Sequence, residues 1–199
     1  LGLELPLGPG LPRVSYRRRI PLISRMPRGA VHLDGLGEGE AYVAWAFGRT
    51  APAAHPLEAL REIAAHCRAH GLRLAIDGAV AAHAGLGTEA VMVPDDGYRP
   101  DMLASARLVV TKAGYSSIAE SLRGAGYVLG AGITGLAEER AMLAEVEVAG
   151  YGLGIPWDAP AFTERMVEAA RDLLGRAPRT PEVDRGEVAV VDALEALAV

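Results

Sequence analysis

From residue 41 onward, short apolar runs alternate with amphipathic segments. The first run, Ala41–Phe47, is apolar throughout, as is typical of a strand that is buried on both faces of a sheet. Apolar residues then recur at helical spacing between Pro56 and Gly71, which predicts an amphipathic helix. The same reasoning predicts further strands at 72–76, 90–93, 107–111 and 127–129, and further helices at 100–106, 118–122, 137–149 and 162–175.

Strands that alternate with helices require crossover connections, and such connections place the strands parallel to one another. We therefore predict an α/β fold with a doubly wound, mostly parallel sheet and helices on both faces. Ligands of such sheets bind beyond the carboxyl ends of the strands. The loops at 48–55, 94–99, 112–117 and 130–138 are thus expected to converge on one crevice.

Residues 1–40 are rich in Pro and Gly and show no sustained helical or strand period. They are predicted to form an extended lead-in or interdomain linker, followed by one α/β domain at 41–199. The segment also carries a cluster of arginines, which favours either a solvated linker or contact with an acidic partner or an anionic membrane face. The cluster consists of Arg13, Arg17, Arg18, Arg19, Arg25 and Arg28.

Composition limits the class of protein further. The chain has 199 residues, 50% of them hydrophobic, which suits a globular protein of one domain. Its net charge of −5 argues against nucleic-acid binding. No apolar stretch is long enough to span a membrane and no signal-peptide pattern opens the chain, so we expect a cytoplasmic protein, with peripheral membrane contact left open. The single cysteine, Cys67, argues against disulfides and cysteine-based zinc sites.

Two glycine clusters, Gly35–Gly39 and Gly150–Gly154, imitate the fingerprint of a dinucleotide-binding site. A true fingerprint follows a strand and opens a helix. The first cluster precedes a predicted strand, and the second follows a predicted helix. Neither is therefore interpreted as a site for a nicotinamide cofactor.

The most informative segment runs from residue 101 to Glu120. Here a predicted buried strand delivers a loop of small residues, 113–117, to the start of a helix. Free backbone N–H groups and the helix dipole favour an anion at such a start, and a diphosphate would fit. Gly114 allows a ligand to approach the backbone, and Lys112 adds positive charge.

Ser116, Ser117 and Glu120 complete this candidate site. The two hydroxyls are potential donors to phosphate oxygens, and the carboxylate of Glu120 is able to accept two hydrogen bonds from a ribose diol. A structural alternative exists for one pair, because Ser117 and Glu120 have the spacing of a capping box. Both interpretations of Glu120 remain open from sequence.

This segment resembles the C-terminal, nucleotide-sugar-binding domain of GT-B type glycosyltransferases. It is similar above all to glycosyltransferase family 28, which includes the peptidoglycan N-acetylglucosaminyltransferase and the galactosyl-diacylglycerol synthases. Members have a strand, small residues, a Gly, a Ser or Thr, and a Glu six residues after that Gly, as at Gly114 and Glu120. The resemblance implies that Ser116 and Ser117 contact the diphosphate and that Glu120 binds the ribose.

The resemblance extends less closely to about residues 40–175. Gly130–Thr134 replaces a loop that usually contains proline, and an acidic residue replaces the usual sugar-binding Gln, so the resemblance leaves the sugar undefined. The residues that it implies outside the main segment are Gly48 and Arg49 for the diphosphate, Val93 and Pro94 for the base, and Glu138 and Glu139 for the donor sugar.

By this resemblance, the chain is the donor-binding domain of an inverting glycosyltransferase. It implies a nucleotide diphosphate-sugar such as a UDP-sugar as substrate, with no cofactor and no metal. The base that activates the acceptor lies in the N-terminal domain of relatives, so we expect a partner domain or chain, and an isolated chain without transfer activity. The alternatives are a nucleotide-sugar 2-epimerase-like domain and a non-enzymatic nucleotide-binding regulatory module.

Histidines offer two further candidates. Glu62, His66 and His70 share one predicted helix face, where a metal site is the alternative to a solvated surface. His55 precedes a helix on the crevice side, where contact with a phosphate is the alternative to exposure in a loop.

Overall fold

The computed structural model of the protein describes residues 2–4, 17–19, 22–29, 31–48, 50–94 and 97–196. The strands are β1 (Gly2–Glu4), β2 (Arg17–Arg19), β3 (Tyr42–Trp45), β4 (Arg73–Ile76), β5 (Ala90–Met92), β6 (Leu108–Lys112), β7 (Tyr127–Ala131) and β8 (Gly152–Ile155). The helices are α1 (Leu57–Ala69), α2 (Gly78–Ala84), α3 (Arg99–Ser105), α4 (Tyr115–Ser121), α5 (Ala137–Val148), α6 (Phe162–Gly175) and α7 (Gly186–Glu195).

Six of these strands form one sheet in the order β5-β4-β3-β6-β7-β8, and every pair in it is parallel. Counted along the chain within this sheet, the order is third, second, first, fourth, fifth, sixth, which is the doubly wound arrangement. The direction of winding reverses between β3 and β6, where Trp45 pairs with Val110. The predicted fold class is confirmed. β1 and β2 form a separate parallel pair.

Helices cover both faces of the sheet, because its central strands are apolar on both sides. Val43 and Trp45 point to the face that packs against α1, α2 and α6. Tyr42 and Ala44 point to the opposite face, where α3 packs, and α4 and α5 continue that layer against β7. Burial on both faces explains why β3 is apolar without interruption.

Strand β8 was not predicted, because its glycines were interpreted only as an imitation of a cofactor fingerprint. The strand needs glycine for close packing. A Cβ at Gly152 would lie 1.7 Å from the carbonyl oxygen of Val128 on β7, and a Cβ at Gly154 would lie 2.6 Å from the Cβ of Leu143 on α5. The helices α2 and α7 were also missed.

Residues 22–29 and 31–40 of the predicted lead-in pack against the domain. These residues contain no helix or strand. Two of their side chains are nevertheless core residues, since Leu22 is 3% exposed and Leu33 is 2% exposed. Leu22 packs with α4 and α5, and Leu33 packs with α3. This part of the chain is therefore not a solvated linker.

Candidate functional site

The loops that follow β6 and β7 meet at the carboxyl edge of the sheet, and β6 borders the point where the winding reverses. A cavity of about 220 Å³ lies there between the start of α4 and the start of α5. The structure thus brings together four of the residues predicted for the site. The lining residues are Lys112, Ala113, Gly114, Tyr115, Ile133, Thr134, Leu136, Glu138, Glu139 and Met142.

Helix α4 starts at Tyr115, with Gly114 at the N-cap position and no side chain capping this end. Ser116 is exposed at the first turn, and Ser117 is half-buried beside it. Because Ser117 lies inside the helix, it is not the N-cap, and its carbonyl accepts a hydrogen bond from the hydroxyl of Ser121 at 2.6 Å. The capping-box interpretation of Ser117 and Glu120 is therefore wrong.

Glu120 instead makes an ion pair with an arginine 95 residues earlier in the chain. The Nε of Arg25 donates to Oε1 of Glu120 at 2.7 Å, and its Nη2 donates to Oε2 at 3.2 Å. The side chain of Glu120 is 4% exposed, whereas that of Arg25 is 58% exposed. The hydrogen bond to Glu120 raises the pKa of Arg25 above its ordinary value. A buried carboxylate thus has a partner that faces solvent.

Arg25 belongs to residues 22–29, which we call the strap. The strap crosses the helical layer of α3 and α4 and is fixed there by polar side chains that the sequence analysis did not select. Arg123 is the most heavily engaged of them and is itself buried. Its guanidinium donates to the carbonyl of Leu22, to the hydroxyl of Ser24 and to two carbonyls near residue 183. Arg123 had no local sequence signal, since all its partners are distant in the chain.

Glu139, a predicted sugar ligand, organises the loop after β7. Its Oε2 accepts hydrogen bonds from three backbone N–H groups, those of Ile133 at 3.2 Å, Thr134 at 3.0 Å and Gly135 at 3.1 Å. Its side chain is buried, while the neighbouring Glu138 is exposed on the same wall of the cavity. The carboxylate of Glu139 therefore fixes the loop, and Glu138 is the one that faces solvent.

Six other predicted ligands that the structure describes do not line this cavity: Gly48, Val93, Pro94, Ser116, Ser117 and Glu120. Gly48 forms an exposed turn after β3 with a φ of +65°, and Arg49 lies outside the described residues. Val93 and Pro94 line a second cavity, of about 120 Å³, together with Tyr98, which contacts the strap. The predicted base-binding residues are thus adjacent to the strap and separate from the predicted diphosphate loop.

His55 lies in the core, contrary to the expectation of an exposed loop residue. It is 6% exposed and stacks beside Trp45 and Phe47. The indole N–H of Trp45 donates to its Nδ1 at 2.9 Å, and its Nε2 lies 3.2 Å from the carbonyl oxygen of Thr50. This arrangement requires the neutral form with the proton on Nε2, and burial lowers the pKa of His55. Both ring nitrogens are engaged within the protein.

The other histidines give no metal site in the part of the chain that the structure describes. No group of three or more His, Cys, Asp or Glu side chains is placed there to hold a metal ion. His66 and His70 lie side by side on α1, with ring centroids 4.1 Å apart. Among the described helices, none combines the length and the apolar character that crossing a membrane requires.

A larger cavity, of about 630 Å³, lies at the opposite, amino edge of the sheet. It is lined by residues 31–33, 36–42, 104–107, 125, 126 and 178. Size alone does not make it the site, because parallel α/β sheets bind ligands at the carboxyl edge. The smaller cavity lies at that edge, beside the reversal of winding, and its polar lining residues include Lys112, Thr134 and Glu138.

Comparison with known proteins gives solved structures only. The sequence matches no protein-family profile and no curated protein. The solved structures include the glycotransferase of kitacinnamycin, with 19% identity, a TM-score of 0.55, and coverage of 90% of this chain and 44% of that one. The spinosyn rhamnosyltransferase SpnG, complexed with thymidine diphosphate, gives 16% identity, a TM-score of 0.55, and coverage of 92% and 53%. Os79 from O. sativa, in complex with UDP, gives 13% identity, a TM-score of 0.52, and coverage of 71% and 33%.

These similarities show that the chain has a fold found within glycosyltransferases. The chain spans about half of the first two proteins and a third of the other. A six-stranded, all-parallel Rossmann-like domain therefore corresponds to one part of each of these larger proteins.

Proposed function

We propose that the chain binds a nucleoside diphosphate-sugar and is the donor-binding domain of a glycosyltransferase. The observation that carries this proposal is the position of the 112–120 segment. It combines Lys112, which lines the cavity beside the reversal of winding, with an uncapped helix start at Gly114 and, later in the same helix, the buried carboxylate of Glu120. The fold is shared with solved glycosyltransferases, two of them complexed with UDP or thymidine diphosphate.

In this proposal the diphosphate lies against the start of α4. Lys112, which lines the cavity, would contact it together with Ser116, which is exposed at the first turn of the helix, and the half-buried Ser117. Gly114 lets the phosphates approach the backbone. Gly48, which follows β3, would contribute from the other side of the winding reversal.

The remainder of the donor extends in two directions from the diphosphate. Glu120 accepts the ribose hydroxyls, and the base continues toward Val93 and Pro94, past Tyr98. The sugar occupies the cavity between α4 and α5, where Glu138 is exposed. Glu139 acts on the sugar indirectly, because its three hydrogen bonds fix the loop that lines the cavity.

Such a domain would contribute to the reaction by stabilising the leaving group. In an inverting transfer, an acceptor hydroxyl attacks the anomeric carbon, its proton goes to a base, and the bond to the diphosphate breaks. Negative charge then develops on the departing phosphate, and Lys112 and the N–H groups of α4 are placed to stabilise it. The acceptor site and its base would lie in a second domain. The chain covers only 44% and 53% of two similar solved proteins, so each of these has a further part to which nothing in this chain corresponds.

Calorimetric titration tests this proposal. We expect saturable binding of UDP or thymidine diphosphate, with one site per chain. Lys112→Ala should weaken that binding about 10-fold to 100-fold, because hydrogen bonds to charged groups contribute roughly 1.5–3 kcal/mol. Uridine, which lacks phosphates, should bind both proteins equally.

Arg68→Ala is the matched control, since it removes one positive charge from an exposed ion pair with Glu89 on the opposite side of the sheet. It should leave the affinity unchanged. The absence of binding at millimolar nucleotide, or equal losses in the two variants, would contradict the proposal.

A further inference from the structure

The strap is attached to the domain on both sides of Arg25. On the amino-terminal side, the backbone N–H of Ile23 donates to the hydroxyl of Tyr115 at 3.1 Å, and Arg123 holds Leu22 and Ser24. Tyr115 is the first residue of α4, so the strap is tied directly to the proposed diphosphate loop.

On the carboxyl-terminal side, α3 and the residue before it hold the strap. The hydroxyl of Tyr98 donates to the carbonyl of Met26 at 3.1 Å. Asp101 accepts hydrogen bonds from the backbone N–H groups of Arg28 and Gly29. The guanidinium of Arg28 also lies 4.0 Å from the centroid of the Tyr98 ring. The backbone on either side of Arg25 is thus fixed in place.

Fixing the backbone directs the side chain of Arg25 over Glu120. The guanidinium engages both carboxylate oxygens, and only 4% of the Glu120 side chain is left exposed. A ribose hydroxyl must come within about 2.7 Å of one of these oxygens to form a hydrogen bond. Arg25 occupies the solvent side of the carboxylate, so a ribose hydroxyl cannot reach the carboxylate from that side while Arg25 is bound.

The two partners of this ion pair differ in what they lose on separation. Arg25 is 58% exposed, so water can replace what its guanidinium loses on moving away, namely the hydrogen bonds to Glu120 and a contact 5.7 Å from the centroid of the Tyr98 ring. Glu120 is buried, and a buried carboxylate without a partner is strongly unfavourable. An incoming ligand therefore has to supply Glu120 with new hydrogen bonds as Arg25 leaves.

We propose that Arg25 is an internal competitor of the nucleotide, occupying the ribose position on Glu120 until the ligand displaces its side chain. This inference rests on the proposed function, because it concerns the same site. While Arg25 is paired with Glu120, the ribose cannot bind there. The apparent affinity for the nucleotide therefore equals the intrinsic affinity multiplied by the fraction of molecules in which Glu120 is free. The strap thereby sets the nucleotide concentration at which the site fills.

The substitution Arg25→Ala tests this inference, with Arg68→Ala as the control. Removing the competitor should tighten UDP binding about tenfold in calorimetry, whereas Arg68→Ala should bind as the wild type does. The ligand-free Arg25→Ala variant should also melt at a lower temperature and gain more from UDP, because UDP restores a partner to Glu120. An unchanged or weakened affinity in Arg25→Ala would show that Arg25 does not compete.

Nuclear magnetic resonance of the wild-type protein gives a second test that needs no folded alanine variant. The Nε–H signal of Arg25, assigned through Arg25→Lys, should move on saturation with UDP to the position of a solvent-exposed arginine, and it should exchange faster with water. A signal that stays unchanged while UDP binds would overturn the competition and leave the proposed function standing. Failure of the wild type and of Arg25→Ala to bind any nucleotide would overturn both.

Discussion

Glu120→Gln separates the roles that the structure assigns to this carboxylate. The change keeps the size of the side chain and one acceptor oxygen, but it removes the negative charge and replaces the second oxygen with a donor. Arg25 loses one of its two hydrogen bonds and faces solvent, as 58% of its side chain already does. The neutral amide is less costly to bury than the carboxylate. We therefore expect the free energy of unfolding to change by less than about 1 kcal/mol.

The effect on nucleotide affinity should be larger. Hydrogen bonds from ribose hydroxyls to a carboxylate contribute roughly 1.5–3 kcal/mol each. The amide still accepts one of the two bonds, and losing the other would alone mean a loss of about 10-fold to 100-fold. The amide introduced by Glu120→Gln also holds Arg25 less firmly than the carboxylate does, which offsets part of this loss. We expect Glu120→Gln to lower the UDP affinity about tenfold relative to the wild type. In a protein that already carries Arg25→Ala, the same change should lower the affinity by more, relative to Arg25→Ala alone.

Calorimetry with UDP and thermal melting check these values together. Glu89→Gln serves as the control, because Glu89 pairs with Arg68 at a partly exposed site away from the crevice. It should bind UDP as the wild type does. An affinity for UDP that is unchanged in Glu120→Gln would show that the carboxylate serves only Arg25. The assignment of the ribose position would then be refuted.

Two further predictions concern the fold that holds the site. Gly152→Ala places a Cβ 1.7 Å from the carbonyl oxygen of Val128, so β7 and β8 must separate. We expect the free energy of unfolding to fall by about 3 kcal/mol. The control Gly175→Ala, whose Cβ meets no atom within 4 Å, should leave the melting temperature almost unchanged. Equal melting temperatures would contradict the packing described for β8. Burial lowers the pKa of His55, so the unfolded chain binds the proton more readily, and stability should fall as the pH drops below about 6.5. Denaturant unfolding at pH 7 and pH 5 should show a smaller decrease for His55→Leu than for the wild type, and an equal decrease would exclude His55 as its source.

The alternation of strands and helices was readable from sequence because each segment has its own local period. Ala41–Phe47 predicted β3 within a few residues. Of the predicted segment from Lys112 to Glu120, residues 112–115 line the cavity between α4 and α5. β8 escaped prediction since its character comes from packing against α5 and β7, where glycine is required. Local composition describes such a strand poorly.

The ion pair of Arg25 with Glu120 shows why the rest of the site was not predictable. Its partners are 95 residues apart, and Arg25 stood out only as one of several arginines in an irregular segment. The capping-box spacing of Ser117 and Glu120 was locally plausible, but the helix begins at Tyr115, and the carboxylate is turned toward the strap. Long-range contacts of this kind are determined by the fold, and no local sequence pattern predicts them.

A crystal structure of the protein soaked with UDP tests the central claim most directly. We predict density for the diphosphate at the start of α4, beside Lys112 and Ser116, with the ribose on Glu120 and the side chain of Arg25 displaced into solvent. Density in the 630 Å³ cavity at the amino edge of the sheet, or an empty crevice at millimolar UDP, would contradict it.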